Sequence, residues 1–166
     1  MPRARSFAPV VGRAPRVLIL GSLPGAESLR RGQYYGHPRN AFWDLLGDAL
    51  DEDFRSLSYR RRLVRLKARR IALWDVVSDA HRRGSLDSAI RRERHNPVLD
   101  QIRRTGVRAV FLNGRKAAAS FEKARRGEKI LARVFVLPSS SPANASVPYA
   151  RKRAAWRRIA RALRVP

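Results

Sequence analysis

Cysteine is absent from this chain of 166 residues, and that one absence closes several chemistries. There can be no disulfide, no thiolate nucleophile, no cysteine-held zinc and no iron–sulfur cluster. A reducing, cytoplasmic home is compatible with it. Acidic residues are scarce: 13 Asp and Glu stand against 37 Lys and Arg, a net charge of +24. No apolar run approaches the roughly 18 residues of a membrane span, so no membrane is expected as a partner. Residues 1–16 hold scattered Arg and Pro without the apolar stretch of a secretory signal. They read as a basic, mobile arm ahead of one domain over residues 17–166. The loops lack a G-x-G-x-x-G run, a G-K-S/T ending and a G-x-S-x-G elbow. Neither a dinucleotide cradle, a P-loop nor a serine-hydrolase site is therefore indicated. His37, His81 and His95 show no metal-ligand spacing. Neither metal nor cofactor is expected.

What is present begins with 44% apolar residues, enough for one proper core. The positive excess favours a polyanion, with nucleic acid the default partner. A taste for Arg over Lys is the other reading of the same number, since only Lys67, Lys116, Lys123, Lys129 and Lys152 are lysines. Charge supplies affinity and says nothing of chemistry.

The patterning is that of alternating strands and helices. Val17 to Gly21 is a strand that stops at a glycine, and Ala41 to Leu50 carries a helical apolar stripe with Asn40 where an N-cap would sit. Ser58 to Arg70 is a strongly basic helix that Ser58 can cap, and Ile71 to Trp74 is a buried strand ending at Asp75. Ser78 to Pro97 reads as loop with a short helix, and Asn96-Pro97 opens a helix to about Arg104. Val107 to Leu112 is a strand closed by Asn113-Gly114, followed by a helix over Lys116 to Arg126. Ile130 to Leu137 is the last strand, Ser139 to Pro148 a Ser/Pro-rich loop, and Tyr149 to Leu163 a basic helix with Trp156 and Ile159 on its apolar face. Short apolar strands separated by helices predict a parallel sheet covered on both faces. The expected fold is α/β, a three-layer α/β/α sandwich around a central four-stranded parallel sheet.

In such a sheet all carboxyl ends point one way, and ligands bind there. Those ends are Gly21-Ser22, Asp75, Asn113-Gly114 and Pro138-Ser139. Asp and Asn also follow strands simply because they make turns. The loop after the first strand holds Ser22, Tyr34, Tyr35, His37 and Asn40, more recognition chemistry than a corner needs. It is the candidate active site.

The run Gly21-Ser22-Leu23-Pro24-Gly25, followed by Tyr35-Gly36-His37-Pro38-Arg39-Asn40-Ala41-Phe42-Trp43, resembles the first motif of the uracil-DNA glycosylase superfamily. Within it the sequence is most similar to the hypoxanthine-DNA (deoxyinosine) glycosylase family and next to the mismatch-specific uracil-DNA glycosylases. Leu137-Pro138-Ser139-Ser140-Ser141-Pro142-Ala143-Asn144 resembles the second motif. Segments Ile71 to Val77, Gly84 to Asp87 and Phe111 to Gly114 also look like that family, so the likeness runs from Val17 to Leu163.

The resemblance implies the same fold and a monofunctional DNA glycosylase that excises hypoxanthine or uracil by hydrolysis of the N-glycosidic bond, in base excision repair. It implies a monomer acting on DNA that contains deaminated bases, without cofactor, in a bacterial-type, nucleoid-associated setting. No lyase step is expected, because no lysine falls in the motifs except Lys116, a little beyond Asn113. Asn40 would place the attacking water, or serve only as a helix cap. Tyr35 would stack on the extruded base, or pack beside Phe42. Asp75 would accept an N–H from the base edge, and Asn113 would read another edge or cap the next helix. Backbone N–H groups of Ser22 and Leu23 would meet the charge developing on the leaving base. His37, Ser139, Ser140, Ser141, Pro142 and Asn144 would hold DNA. One departure stands out: mismatch-specific relatives keep an Asn where this chain has Leu23. A catalytically weak or inactive lesion-sensing module of the same fold is the alternative this raises, and an enzyme of nucleotide-like metabolites is a third.

Overall fold

A computed structural model describes residues 3–166. In chain order its elements begin with β1 (Arg3–Arg5), β2 (Val17–Gly21), α1 (Ala26–Arg31), α2 (Phe42–Leu50) and α3 (Tyr59–Ala68). The chain continues through β3 (Ile71–Asp75), β4 (Val77–His81), β5 (Arg91–His95), α4 (Val98–Thr105) and β6 (Ala109–Asn113). It closes with α5 (Arg115–Arg125), β7 (Arg133–Leu137) and α6 (Tyr149–Arg164).

The expected sheet is there. Strands β3, β2, β6 and β7 lie in that order, all parallel, in a four-stranded sheet. The register is uninterrupted: Val17 stands between Ile71 and Ala109, and Gly21 beside Asp75. Every residue of β2, β3 and β6 is buried, as continuous apolar runs demand when both faces are covered. One face packs Val17, Ile19 and Phe111 against Phe42, Leu46, Trp156 and Ile159 of α2 and α6. The other packs Leu18, Leu20 and Val110 against Leu99, Ile102 and Phe121 of α4 and α5. That is a three-layer sandwich, and its register sets four strand ends along one edge.

Three expectations are corrected. The reading of residues 1–16 as an arm apart from the domain does not hold over residues 3–16; Met1 and Pro2 lie outside the described residues. Strand β1 pairs antiparallel with β4, Val10 bridges to Leu73, and the Phe7 ring meets Tyr34 edge-on at 5.1 Å. Arg3 explains the docking, since its guanidinium pairs with Asp79. The stretch Ser78–Pro97, expected as loop with a short helix, supplies β4 and β5 of a second, antiparallel sheet in the order β1-β4-β5, with a 3₁₀ turn over Asp87–Ala89. Its β5 reads RRERH, which shows no apolar alternation. Charge pairing holds it instead. Arg94 and then Arg3 keep the Asp79 carboxyl down at about 2, against the opposing effect of burial. Burial also works against Glu93, yet hydrogen bonds from His95, Lys116 and Ser120 hold it at about 2. Finally, the long loop after β2 contains the short helix α1.

Candidate active site

The carboxyl edge of the parallel sheet opens into a cavity of about 120 Å³. That is several times the roughly 30 Å³ that one water occupies in the liquid. Ser22, Leu23, Tyr35, His37, Asn40, Asp75, Asn113, Ser139, Ser140, Ser141 and Pro142 all line it. Of the residues picked out in the sequence only Asn144 stands outside, where its amide braces the serine loop by donating to the carbonyl of Ser139 at 3.4 Å.

Asp75 closes β3 and is 3% exposed. Its Oδ2 has no hydrogen-bond partner. Burial, followed by the neighbouring charge of Asp87, pushes its carboxyl up to about 7, while Arg82 opposes the shift. A buried oxygen without a partner is costly in a finished core and useful in a binding site. Gly21 makes the arrangement possible. A Cβ there would come within 2.5 Å of Asp75 Oδ1 and 2.7 Å of the Tyr35 hydroxyl, so a side chain at that point would collide with both.

Tyr35 is held at φ +53°, a left-handed conformation uncommon for an aromatic residue. Its ring lies parallel to Phe42 with centroids 3.9 Å apart, so it packs beside Phe42 and also lines the cavity. The hydroxyl titrates far above its usual range because it is buried and faces Asp75. It receives a hydrogen bond from the amide of Asn113 at 3.3 Å.

The N-cap of α2 falls on Ala41, one residue after Asn40, so Asn40 closes the turn before the helix rather than capping it. Its Oδ1 accepts the N–H of Phe42 at 3.0 Å, in the turn that leads into α2. That donor fixes the oxygen's identity and leaves the amide N–H groups and one oxygen lone pair toward other partners. Asn113 does not cap α5. Its amide donates to Ser140 Oγ at 2.9 Å and its Oδ1 accepts the Ser140 N–H at 3.0 Å, which ties the end of β6 to the serine loop. That loop is stiffened further as Ser139 Oγ accepts the Ser141 N–H and Ser141 Oγ the Ala143 N–H. The two sequence motifs are joined directly, because Ala41 N–H donates to the carbonyl of Ser140 at 3.0 Å. His37 Nδ1 accepts the N–H of Arg39, so in the neutral ring Nε2 carries the proton.

Leu23 has a physical reason. Its side chain packs with Val77, Ala80 and Ile90 against the second sheet, a small apolar cluster that an aliphatic residue completes. Its carbonyl and that of Pro24 accept from the buried guanidinium of Arg82, which clamps the loop from behind. Asp87 and Arg82 were not picked out from the sequence. Asp87 accepts the Ser22 hydroxyl at 2.6 Å and lines the cavity. Ser85 Oγ accepts the N–H of Ala26, so the turn that carries both is fastened to the opening loop. The Gly84 to Asp87 segment was the available signal, but without β4 and β5 nothing placed it over the sheet edge.

The arrangement offers a flat aromatic wall, one unsatisfied carboxylate, an amide at the mouth and rigid serine backbone. This suits an uncharged planar ring presenting an N–H. No group of His, Asp and Glu among the described residues has the geometry to hold a metal ion.

Comparison with known proteins follows the same lines. The family model described as the uracil DNA glycosylase superfamily matches residues 9–164. The chain is 42% identical over 143 residues to a hypoxanthine DNA glycosylase of Methanosarcina acetivorans, covering 84% of this chain and 87% of that one. It is also 42% identical over 117 residues to the hypoxanthine DNA glycosylase of Methanosarcina barkeri, covering 69% and 73%. A solution NMR structure of a Methanosarcina acetivorans structural-genomics target superposes with a TM-score of 0.80 at 39% identity, covering 96% of this chain and 99% of that one.

Proposed function

In a chain that belongs to the uracil DNA glycosylase superfamily, we propose that this cavity excises hypoxanthine, and secondarily uracil, from DNA by hydrolysis and without a lyase step. The observation that carries the reading is the buried, unpartnered Oδ2 of Asp75 beside Tyr35 and Asn40. An ionised carboxylate only accepts hydrogen bonds, so it pairs with N1–H of hypoxanthine or N3–H of uracil and repels the bare N1 of adenine. Leaving a buried group unpaired discriminates strongly. Base excision repair is the setting in which such an activity belongs.

Extrusion of the nucleotide costs a few kcal/mol, least for a mispaired base. Stacking on Tyr35 returns about 1–3 kcal/mol. Asn40 orients a water toward C1′ of the sugar, the C–N bond breaks with its electron pair passing to the base, and the water oxygen completes the bond to C1′. The water's proton leaves to solvent or to the departing base. Backbone N–H groups at Ser22 and Leu23 meet the charge on the base, where one well-aimed donor is worth about 3–4 kcal/mol. No lysine lines the cavity and Lys116 is held by Glu93, which supports hydrolysis over Schiff-base chemistry. Ser139 to Pro142 then grip the flanking phosphates.

The decisive experiment offers duplexes carrying hypoxanthine, uracil or xanthine and scores abasic product. Product on the hypoxanthine duplex, lost in Asn40→Ala with binding retained, is the expected result. The second reading, a lesion-sensing module, is favoured by Leu23, which brings no amide into the cavity. Binding without abasic product on any duplex would establish it.

A further inference from the structure

The positive charge of this chain is not gathered in the cavity. Among the described residues no arginine or lysine lines it, whereas Glu27, Asp75 and Asp87 do. We propose that the opposite, amino edge of the parallel sheet is a second docking surface for the phosphate backbone of duplex DNA. This rests on the reading above only in that the first DNA segment lies at the carboxyl edge.

The sheet itself builds the row. Because Val17 is in register with both Ile71 and Ala109, the residues before them are neighbours too, and all three are arginines: Arg70, Arg16 and Arg108. Their backbones are linked, Arg16 N–H to the Arg70 carbonyl at 2.8 Å and Arg108 N–H to the Arg16 carbonyl at 2.9 Å. Adjacent strands stand about 4.8 Å apart, so the backbones of the three arginines reach the edge side by side at close spacing.

Arg16 and Arg70 also line a groove of about 360 Å³ with Arg69 and Arg164, while Arg108 lines a separate one of about 490 Å³ with Lys129. Arg16 and Arg70 each spend a donor on a carbonyl, of Leu163 and Ala14 respectively. Four of a guanidinium's five N–H groups remain on each. Among the described residues Arg16, Arg70, Arg108, Lys129 and Arg164 form no ion pair.

Balancing the ends of the helices does not account for them. Helices α2 to α6 run back from the carboxyl edge and finish here, at about half a negative charge each, or roughly −2.5 in all. Among the described residues Asp51 is the only carboxylate lining either groove. Five unpaired cations therefore leave a positive surplus on a surface far from the chemistry. Duplex DNA, with one negative charge per about 1.7 Å of axis, fits such a row better than a single small anion does. A protein holding DNA at both edges passes between segments without releasing the first.

The test tethers a hypoxanthine duplex, adds protein, and measures capture of a labelled, undamaged duplex from solution. Arg108→Gln, Lys129→Gln and Arg164→Gln are combined in one variant, since none of these side chains makes a hydrogen bond or ion pair among the described residues. Capture should fall at least tenfold at about 0.1 M salt, and the log–log salt slope should shrink by about 2–3, at about 0.9 per phosphate contact. Single-turnover excision should stay within twofold. A second variant, Arg16→Gln with Arg70→Gln, should behave alike, its fold vouched for by retained excision. Unchanged capture in both variants, capture only by a dimer in sedimentation, or no capture by the unaltered protein would each overturn the proposal. Failure to excise any lesion sinks only the reading of the cavity, because duplex binding by the variants is scored independently of the chemistry.

Discussion

Replacing Asp75 by Asn should stabilise the protein while disabling it, and the gain should depend on pH in a way the geometry dictates. The carboxyl moves from 3.8 when unfolded to about 7 in the folded state, chiefly because it is buried. A raised acid binds its proton more tightly in the native state. Stability from this group is therefore full below pH 4 and is lost as pH climbs through the window to about 7. A shift of about three units corresponds to about 4 kcal/mol at most. The isosteric amide has no such loss. Asp75→Asn should thus match the parent protein near pH 3.5 and exceed it at pH 8 by up to about 4 kcal/mol, or about 8–16 °C in melting temperature for a chain of this size. Asp79 and Glu93, whose carboxyls lie low at about 2, lose their contributions progressively as pH falls from the unfolded values of 3.8 and 4.5 towards 2, and do so in both proteins, so they cancel. Urea unfolding at the two pH values reads the difference. An equal effect at both values, or a variant weaker at pH 8, would refute the argument that Asp75 is held at a cost to the fold. Functional sites carry such costs where activity needs them. In the same variant excision of hypoxanthine should fall, and its preference over adenine should narrow, since an amide can both donate to and accept from the adenine edge.

Other consequences are as direct. The excision rate should rise with pH through about 7, tracking ionisation of Asp75; a profile flat from pH 5 to 8 would remove the carboxylate from base recognition. Gly21→Ala should abolish excision with the fold retained, because its Cβ would sit 2.5 Å from Asp75 Oδ1, and crystallography or circular dichroism separates that from unfolding. Asn40→Ala should lower single-turnover excision at least a hundredfold yet cost only about 1 kcal/mol of stability, the worth of the one hydrogen bond its Oδ1 accepts from Phe42; a rate within a few-fold of the parent would leave Asn40 with that turn contact alone. Asn113→Ala frees buried Ser140 and should cost about 1–3 kcal/mol by urea unfolding.

Much of the fold could be read without coordinates. Strands β2, β3, β6 and β7 are short apolar runs with sharp stops, and a parallel sheet buried on both faces requires little more. The antiparallel sheet could not be read. Strand β5 is built from charges, and its partners Asp79, Arg3, Lys116 and Ser120 are distant in sequence. Nothing in RRERH distinguishes a strand held by ion pairs from an exposed loop. The same gap hid Asp87 and Arg82, which meet the loop after β2 only because β4 turns the chain back over it.

For Leu23 the outcome is instructive. As a letter in a motif it was a missing amide. In the fold its side chain belongs to a small apolar cluster with Val77, Ala80 and Ile90, while its carbonyl accepts a hydrogen bond from Arg82. The sequence by itself determined the parallel sheet, the edge at which its loops gather and the types of side chain found there. These follow from local runs, glycine stops and the rule that parallel strands end together. Only the tertiary structure decided which of those side chains spend their hydrogen bonds on each other and which one is left over. Asn113 is committed to Ser140, Ser22 to Asp87 and Asn40 in part to Phe42, whereas Asp75 keeps a bare oxygen. Hydrogen bonding is a matter of distance and direction across the fold, and no spacing along the chain encodes it.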